Sequence, residues 1–230
     1  MLRDVEVIAI DGPVAAGKTM VGRELAKRLD LRYLDTGVMY RAITWLALKN
    51  ATPIEDEVAL GTLADETPIM LDGSNSDRVL VDGISVGPEL REAEVDRHVS
   101  LVSRVSSVRS ALVAQQRRMA SEGRIIVVGR DIGTVVLPNA DLKIYITASS
   151  EERSRRRWKE FQAQGRETDY QSVLNETRAR DDVDTQRDDS PLKPAEDAWV
   201  LDTDGLTGDE VVDLIVQRVN AEAQGGIACA

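Results

Sequence analysis

The sequence predicts an α/β fold with a parallel central sheet and helices on both faces. Three observations predict it. Short apolar runs rich in β-branched residues alternate with helix-forming stretches, the pattern of strands buried on both faces by crossover helices. A glycine-rich turn leads straight from the first of those runs into a helix. One block of short strands parted by Asp-Gly turns breaks the alternation, so the chain also carries a small antiparallel insert.

In order, 5–10 reads as a buried strand, and 18–29 as a helix. Tyr33-Leu34-Asp35-Thr36-Gly37 reads as a short strand and turn. Helices follow at 38–48, where Ile43, Leu46 and Ala47 keep helical spacing, and at 55–66. The stretches 68–71, 78–82 and 84–86 read as a meander, turned at Asp72-Gly73-Ser74-Asn75 and Asp82-Gly83. Helices return at 91–102 and 107–121. Then come the strands 125–128 and 142–147, a charged helical stretch at 151–190, a strand at 199–201 and a closing helix at 207–223. Residues 224–230 read as a disordered tail, and no internal repeat is visible.

Composition narrows the function. The 230 residues hold 29 Lys and Arg against 40 Asp and Glu, a net charge of −11, which argues against a broad grip on nucleic acid or an anionic membrane. The charge is uneven. Residues 100–190 carry 16 basic against 14 acidic residues, a balance of +2, and the remainder carries 13 against 26, a balance of −13. Arg outnumbers Lys by 23 to 6, and only Arg offers a planar fork to phosphate and carboxylate. The single Cys, Cys229, rules out an internal disulfide and a Cys-rich zinc site, and suits a reducing compartment. His98, the one histidine, has no accompanying nucleophile motif and reads as structural or surface. No apolar run of membrane-spanning length occurs, and the first six residues offer no apolar signal core. With 3% aromatics, a base-stacking platform for single strands is not expected.

Gly12-Pro13-Val14-Ala15-Ala16-Gly17-Lys18-Thr19 matches G-x-x-x-x-G-K-[ST], with a strand entering and a helix leaving. Its backbone amides and helix start would cradle phosphates, Lys18 would reach the β- and γ-phosphates, and the Thr19 hydroxyl would ligate Mg²⁺. A bound nucleoside triphosphate leaves three classes: a small-molecule or nucleotide kinase, a GTPase switch, or an ATPase motor or regulator. The chain lacks the guanine-reading N-K-x-D of GTPases. Its strand at 125–128 ends in Gly129-Arg130-Asp131 rather than paired acids, which places an arginine where open α/β sheets bind ligands and points to a second anionic substrate. Acceptors such as CMP, UMP, AMP or shikimate stay open at this point, as does a regulatory module that transfers to nothing.

Four separated stretches carry a resemblance: Ile8-Ala9-Ile10-Asp11-Gly12-Pro13; Tyr33 through Thr36-Gly37-Val38-Met39-Tyr40-Arg41; Gly129-Arg130-Asp131-Ile132-Gly133-Thr134-Val135-Val136; and Arg180-Asp181-Asp182 through Arg187 to Pro191-Leu192-Lys193-Pro194-Ala195-Glu196-Asp197-Ala198. Together they resemble the bacterial cytidylate kinases over nearly the whole chain. The resemblance implies a P-loop NTPase three-layer fold whose core spans 1–37, 105–150 and 191–230. A monophosphate-binding part at 38–104 holds the antiparallel insert near 67–86, and 151–190 supplies the lid and flanking helices. It implies transfer of the γ-phosphoryl group of ATP to CMP or dCMP by a Mg²⁺-dependent cytoplasmic monomer, with no nucleic-acid or membrane partner.

The resemblance also assigns residues. Gly12, Pro13, Val14, Ala15, Ala16, Gly17, Lys18, Thr19 and Met20 contact ATP. Arg41, Arg130 and Arg187 hold phosphates, and Thr36 lies near the monophosphate. Ser100, Arg109 and Asp131 read cytosine, and Arg180 and Asp184 sit at the pentose. A spacing of four puts Arg180 and Asp184 on one helix face, with Arg187 three further along it. Arg153 and Arg157, at i and i+4, are lid arginines that reach the triphosphate together on closure. The remaining acids of the 181–184 run read as solvated charge rather than a Mg²⁺ cage. Met20 is expected to pack on its helix, Thr168-Asp169 to start one, and Trp45, Trp158 and Trp199 to serve packing.

Overall fold

Glu6 leads into β1 (Val7–Asp11), where Ile8, Ala9 and Ile10 have no exposed surface, as a strand flanked on both edges and covered on both faces requires. A computed structural model of the chain describes residues 5–72, 78–187 and 189–223. Cys229, the 224–230 tail and Gly73-Ser74-Asn75 of the first meander turn lie outside the described residues. The chain divides into two compact units, 1–32 with 124–230, and 33–123.

In the first unit β1 pairs in parallel with β6 (Ile125–Val128), Ile8 opposite Ile126, and with β7 (Leu142–Thr147), Ile10 opposite Ile144. β7 pairs in parallel with β8 (Trp199–Asp202). With β2 (Arg32–Asp35), through which the chain leaves this unit, the strand order is β2-β6-β1-β7-β8. The helices here are α1 (Lys18–Leu29), α6 (Ser150–Ala163), α7 (Tyr170–Thr185) and α8 (Gly208–Ala223); α1 packs on β6 and α8, and α6 packs on α7. Helices cover both sides of the parallel sheet, the fold class expected. The break between α6 and α7 contains Gly165 at φ 71°, and Asp169 then caps α7 by accepting from Ser172 N at 2.9 Å, as the Thr168-Asp169 pair foreshadows.

The second unit holds α2 (Thr36–Lys49), α3 (Glu57–Glu66), α4 (Ala93–Val102) and α5 (Ser106–Ala120), with α3 on α5 and α2 on α4. Its separate antiparallel sheet is β3 (Ile69–Leu71), β4 (Val79–Val81) and β5 (Ile84–Val86), in order β3-β4-β5. Ile69, Val79, Val81 and Val86 face inward at 2% exposure, and the Asp82-Gly83 turn takes the left-handed φ values (50° and 78°) that a two-residue hairpin demands. Buried Gln115 of α5 stitches the insert on. Its Oε1 accepts from Ile69 N, and its Nε2 donates to the carbonyls of Ala64 and Thr67.

Three local readings need correction. Thr36 and Gly37 open α2 instead of closing a turn, because the Asp35 carboxylate accepts from Gly37 N at 2.9 Å and caps the helix there. The helix expected at 91–102 is a 3₁₀ turn (Pro88–Arg91) and then α4, parted by Glu92, which is extended (φ −62°, ψ 149°). The segment after β6 forms one π turn (Ile132–Val136), which no periodicity announced.

Candidate active site

The loop from Gly12 to Gly17 joins β1 to α1. A Cβ on Gly12 would lie 2.0 Å from the Ile146 carbonyl oxygen, so only glycine lets the chain leave β1 so close to β7. Gly17, at φ 91°, is the N-cap of α1, and no side chain caps that helix start. A glycine-rich loop before an uncapped helix start takes phosphate through its N–H groups and the positive end of the helix dipole. Lys18 is buried, and its Nζ donates to the Pro13 carbonyl at 2.6 Å, so the ammonium folds back over the loop. Thr19 follows, half-buried, in the first turn of α1. Met20 does not simply pack on its own helix: it is 46% exposed, and its Cε lies where a Cβ on Gly208, at the start of α8, would meet it at 2.1 Å.

The end of β1 holds a residue to which the sequence reading gave no role. Asp11 is buried, and its oxygens accept from Ile132 N at 2.8 Å and Gly133 N at 2.7 Å. Burial pushes its carboxyl up to about 6; the two amides pull the other way, neighbouring Asp131 adds to the rise, and the Lys18 charge opposes it. Asp131 itself is buried. The available signal was a single acid closing an otherwise apolar strand.

Beside this loop the first unit gathers its arginines on carboxylates. Arg130 Nε donates to Asp184 Oδ2 at 2.9 Å, and Arg187 Nη2 donates to Asp184 Oδ1. Asp184 is 2% exposed. Burial by itself would raise its carboxyl, but the charges of Arg130 and Arg187, with Arg180 behind them, outweigh burial and hold it below the usual carboxylate range. α7 ends at Thr185, so Arg187 sits past the helix rather than along its face, yet it still reaches the same carboxylate.

Arg153 is 5% exposed, and its Nη1 and Nη2 grip both oxygens of Asp181 at 3.0 and 2.6 Å. Its Nε donates to the Ala148 carbonyl at 2.9 Å, and Nη1 also donates to the Val14 carbonyl of the phosphate loop at 3.0 Å. Asp181 is therefore not the solvated charge expected of it; within the run only Asp182 is exposed. Arg157 does not join Arg153 here, because its guanidinium lies 4.7 Å over the Phe161 ring.

The second unit carries the other assigned groups. Thr36 is buried in the first turn of α2. Arg41 Nη1 pairs with Asp96 at 2.6 Å and donates to the Leu90 carbonyl at 3.0 Å. Arg109, buried on α5, donates from Nη1 to the Tyr40 hydroxyl at 3.3 Å and lies 5.9 Å over that ring. Ser100 is half-buried on α4, and its carbonyl accepts from Ser103 Oγ at 3.0 Å. His98 contacts the Glu94 carbonyl through Nδ1 at 2.9 Å on the same helix, a local role.

Comparison with known proteins agrees with this chemistry. A family model described as cytidylate kinase matches residues 8–221. A cytidylate kinase of Desulforamulus reducens is 47% identical over 212 residues, covering 92% of this chain and 96% of that protein. One of Streptococcus pneumoniae (strain 70585) is 47% identical over 219 residues, covering 94% and 96%. Among solved structures, a gluconokinase from Sinorhizobium meliloti aligns with a TM-score of 0.51 at 11% identity, covering 96% of each chain, a likeness of fold alone.

Proposed function

The chain belongs to the cytidylate kinase family, and we infer that it transfers the γ-phosphoryl group of ATP to CMP or dCMP, releasing ADP and CDP or dCDP. One observation carries the reading beyond family membership. A phosphate loop with Lys18 folded over it shares a unit with Arg130 and Arg187, both held on one buried carboxylate. The acceptor is a phosphate oxygen that is already anionic near neutral pH, so no general base is needed. The difficulty is bringing two polyanions together, and fixed cations meet it. Guanidiniums pre-positioned by Asp184 lose little freedom when a phosphate arrives.

Within this reading Lys18 meets the β- and γ-phosphates, and Arg41, Arg130 and Arg187 hold phosphates, with Thr36 near the monophosphate. Arg180 and Asp184 serve the pentose. A carboxylate offers about four lone-pair sites, so Asp184 can accept from a sugar hydroxyl while both arginines keep their bonds. Ser100, Arg109 and Asp131 read cytosine, a carboxylate accepting from N4 and donors meeting N3 and O2, as in base-edge recognition. Arg153 and Arg157 belong to a lid at 151–190 that shields the γ-phosphoryl from water. The Arg153 bond to the Val14 carbonyl supports a link between that segment and the phosphate loop. In this reading 1–37, 105–150 and 191–230 form the phosphate-loop core, and 38–104 the monophosphate-binding part. Within this reading one chain supplies every assigned group, and the enzyme works as a cytoplasmic monomer.

Mg²⁺ fits the residues present. Thr19 offers a hard oxygen beside Lys18, and among the described residues no three His, Cys, Asp or Glu side chains form an ion cage. Thr19 would hold the ion through its hydroxyl, as the phosphate-loop Ser or Thr does in this class of nucleotide site. When bound, it neutralises charge on the transferring group.

Product analysis tests the reading. With ATP, Mg²⁺ and CMP, anion-exchange chromatography should show CDP and ADP appearing in equal amounts. ADP release at one rate with or without CMP, and no CDP, would instead mark a regulatory module.

A further inference from the structure

Asp11 is a buried carboxylate that the transfer chemistry does not use. It closes β1 one residue before Gly12, and both its oxygens are spent on backbone amides, Ile132 N at 2.8 Å and Gly133 N at 2.7 Å. Those amides directly follow Arg130 and Asp131. On the other side of that pair, Gly129 N donates to the carbonyl of Ile10, the neighbour of Asp11, at 2.9 Å. Arg130 and Asp131 are thus a two-residue span pinned at both ends to consecutive residues of β1.

Further bonds tighten the distal pin. Val135 N and Val136 N both donate to the Asp131 carbonyl, at 2.9 and 3.1 Å, and close the π turn that the Asp11 carboxylate starts. The space is filled: a Cβ on Gly133 would stand 3.4 Å from Asp11 Oδ2 and 3.2 Å from Lys143 Cδ. Burial pushes the Asp11 carboxyl up to about 6, so keeping an acid here is unfavourable for folding. An apolar residue would fill the strand end at lower cost, but it would leave two buried amides without acceptors.

We propose that Asp11 is a positioning residue for acceptor recognition: by clamping the Ile132 and Gly133 amides it fixes the span that presents Arg130 and Asp131. The proposal rests on the reading that Asp131 serves the acceptor.

Asp11→Asn keeps the volume but replaces one acceptor oxygen by an amide group that faces a backbone N–H. The KM for CMP should rise about tenfold, the size of one lost hydrogen bond to a charged group, while ATP affinity, read by displacement of a fluorescent analogue, stays within about twofold. Asp131→Ala alone should also raise that KM. In the Asp131→Ala background, the Asp11→Asn effect on it should shrink to about threefold or less, since coupled residues are not additive. An unchanged KM in Asp11→Asn, or equal losses for ATP and CMP, overturns the proposal while leaving the acceptor reading intact. An unchanged KM in Asp131→Ala overturns both. If Asp11→Asn does not fold, hydrogen exchange in the native enzyme decides: the Ile132 and Gly133 amides should be strongly protected at neutral pH, and exchange at free-peptide rates sinks the clamp.

Discussion

Lys18 shows how a single side chain is prepared for its task. Its ammonium is buried and bonded to the Pro13 carbonyl at 2.6 Å, so it is held over the loop before any phosphate arrives. A charge fixed in this way stabilises charge developing on the transferring group without reorganising at the moment of reaction. Lys18→Ala should lower kcat by about 100-fold or more on every acceptor, with an unchanged melting temperature; a loss confined to one acceptor would contradict the role. The loop was legible in the sequence because its chemistry is local: glycines, lysine and hydroxyl act where they stand in the chain. Asp181 was harder. In the run Asp181-Asp182-Val183-Asp184 only Asp184 carries a motif match, and the other acids look like surface charge. Only the fold shows Asp182 exposed, Asp181 gripped by Arg153, and Asp184 buried between Arg130 and Arg187. Arg153 and Arg130 are distant from these acids in sequence, so no spacing rule pairs them; only Arg187, three residues past Asp184, was within reach of one.

At the scale of elements, α7 matters most to the arginine cluster, because it carries Arg180, Asp181 and Asp184. Its start is set by Asp169, which accepts from Ser172 N at 2.9 Å and from Ser172 Oγ at 2.6 Å. Asp169→Ala should lower the midpoint of a denaturant melt without changing its slope. The kcat/KM for CMP should stay near wild type, since the cap lies at the far end of the helix; a large loss there would mean that the cap shapes the site. Most elements could be read from pattern. The strands 125–128 and 142–147, and the helix 18–29, were found with their observed ends, because buried β-branched runs and a glycine-led helix start are strong local signals. The helix expected at 91–102 ends where expected but starts at Ala93, because Glu92 leaves helical geometry after the 3₁₀ turn. The π turn could not be read, because the carboxylate that starts it comes from a strand 121 residues earlier.

Over the whole molecule, the excess of acids is sorted to the surface, while the buried charges, such as Lys18, Arg109 and Arg153 with Asp11, Asp131 and Asp184, are mixed in sign. The chain is acidic, at −11, yet Arg109 and Arg153 are buried, and Arg41, Arg130 and Arg187 are held by carboxylates. The excess of acids falls on exposed stretches such as Glu55-Asp56-Glu57 and Asp65-Glu66. A protein whose ligands are two small polyanions needs a few aimed guanidiniums rather than a basic face, and arginine suits the task because its fork binds carboxylate and phosphate alike. The claim that this sorting serves phosphoryl transfer to a cytosine nucleotide is tested most directly by kcat/KM over a panel of CMP, dCMP, UMP, AMP and shikimate, read by coupled ADP release at fixed ATP and Mg²⁺. CMP and dCMP should lead, with UMP lower by about 10-fold or more, the cost of mispairing one buried polar group. Equal or faster turnover of UMP, AMP or shikimate would contradict the account.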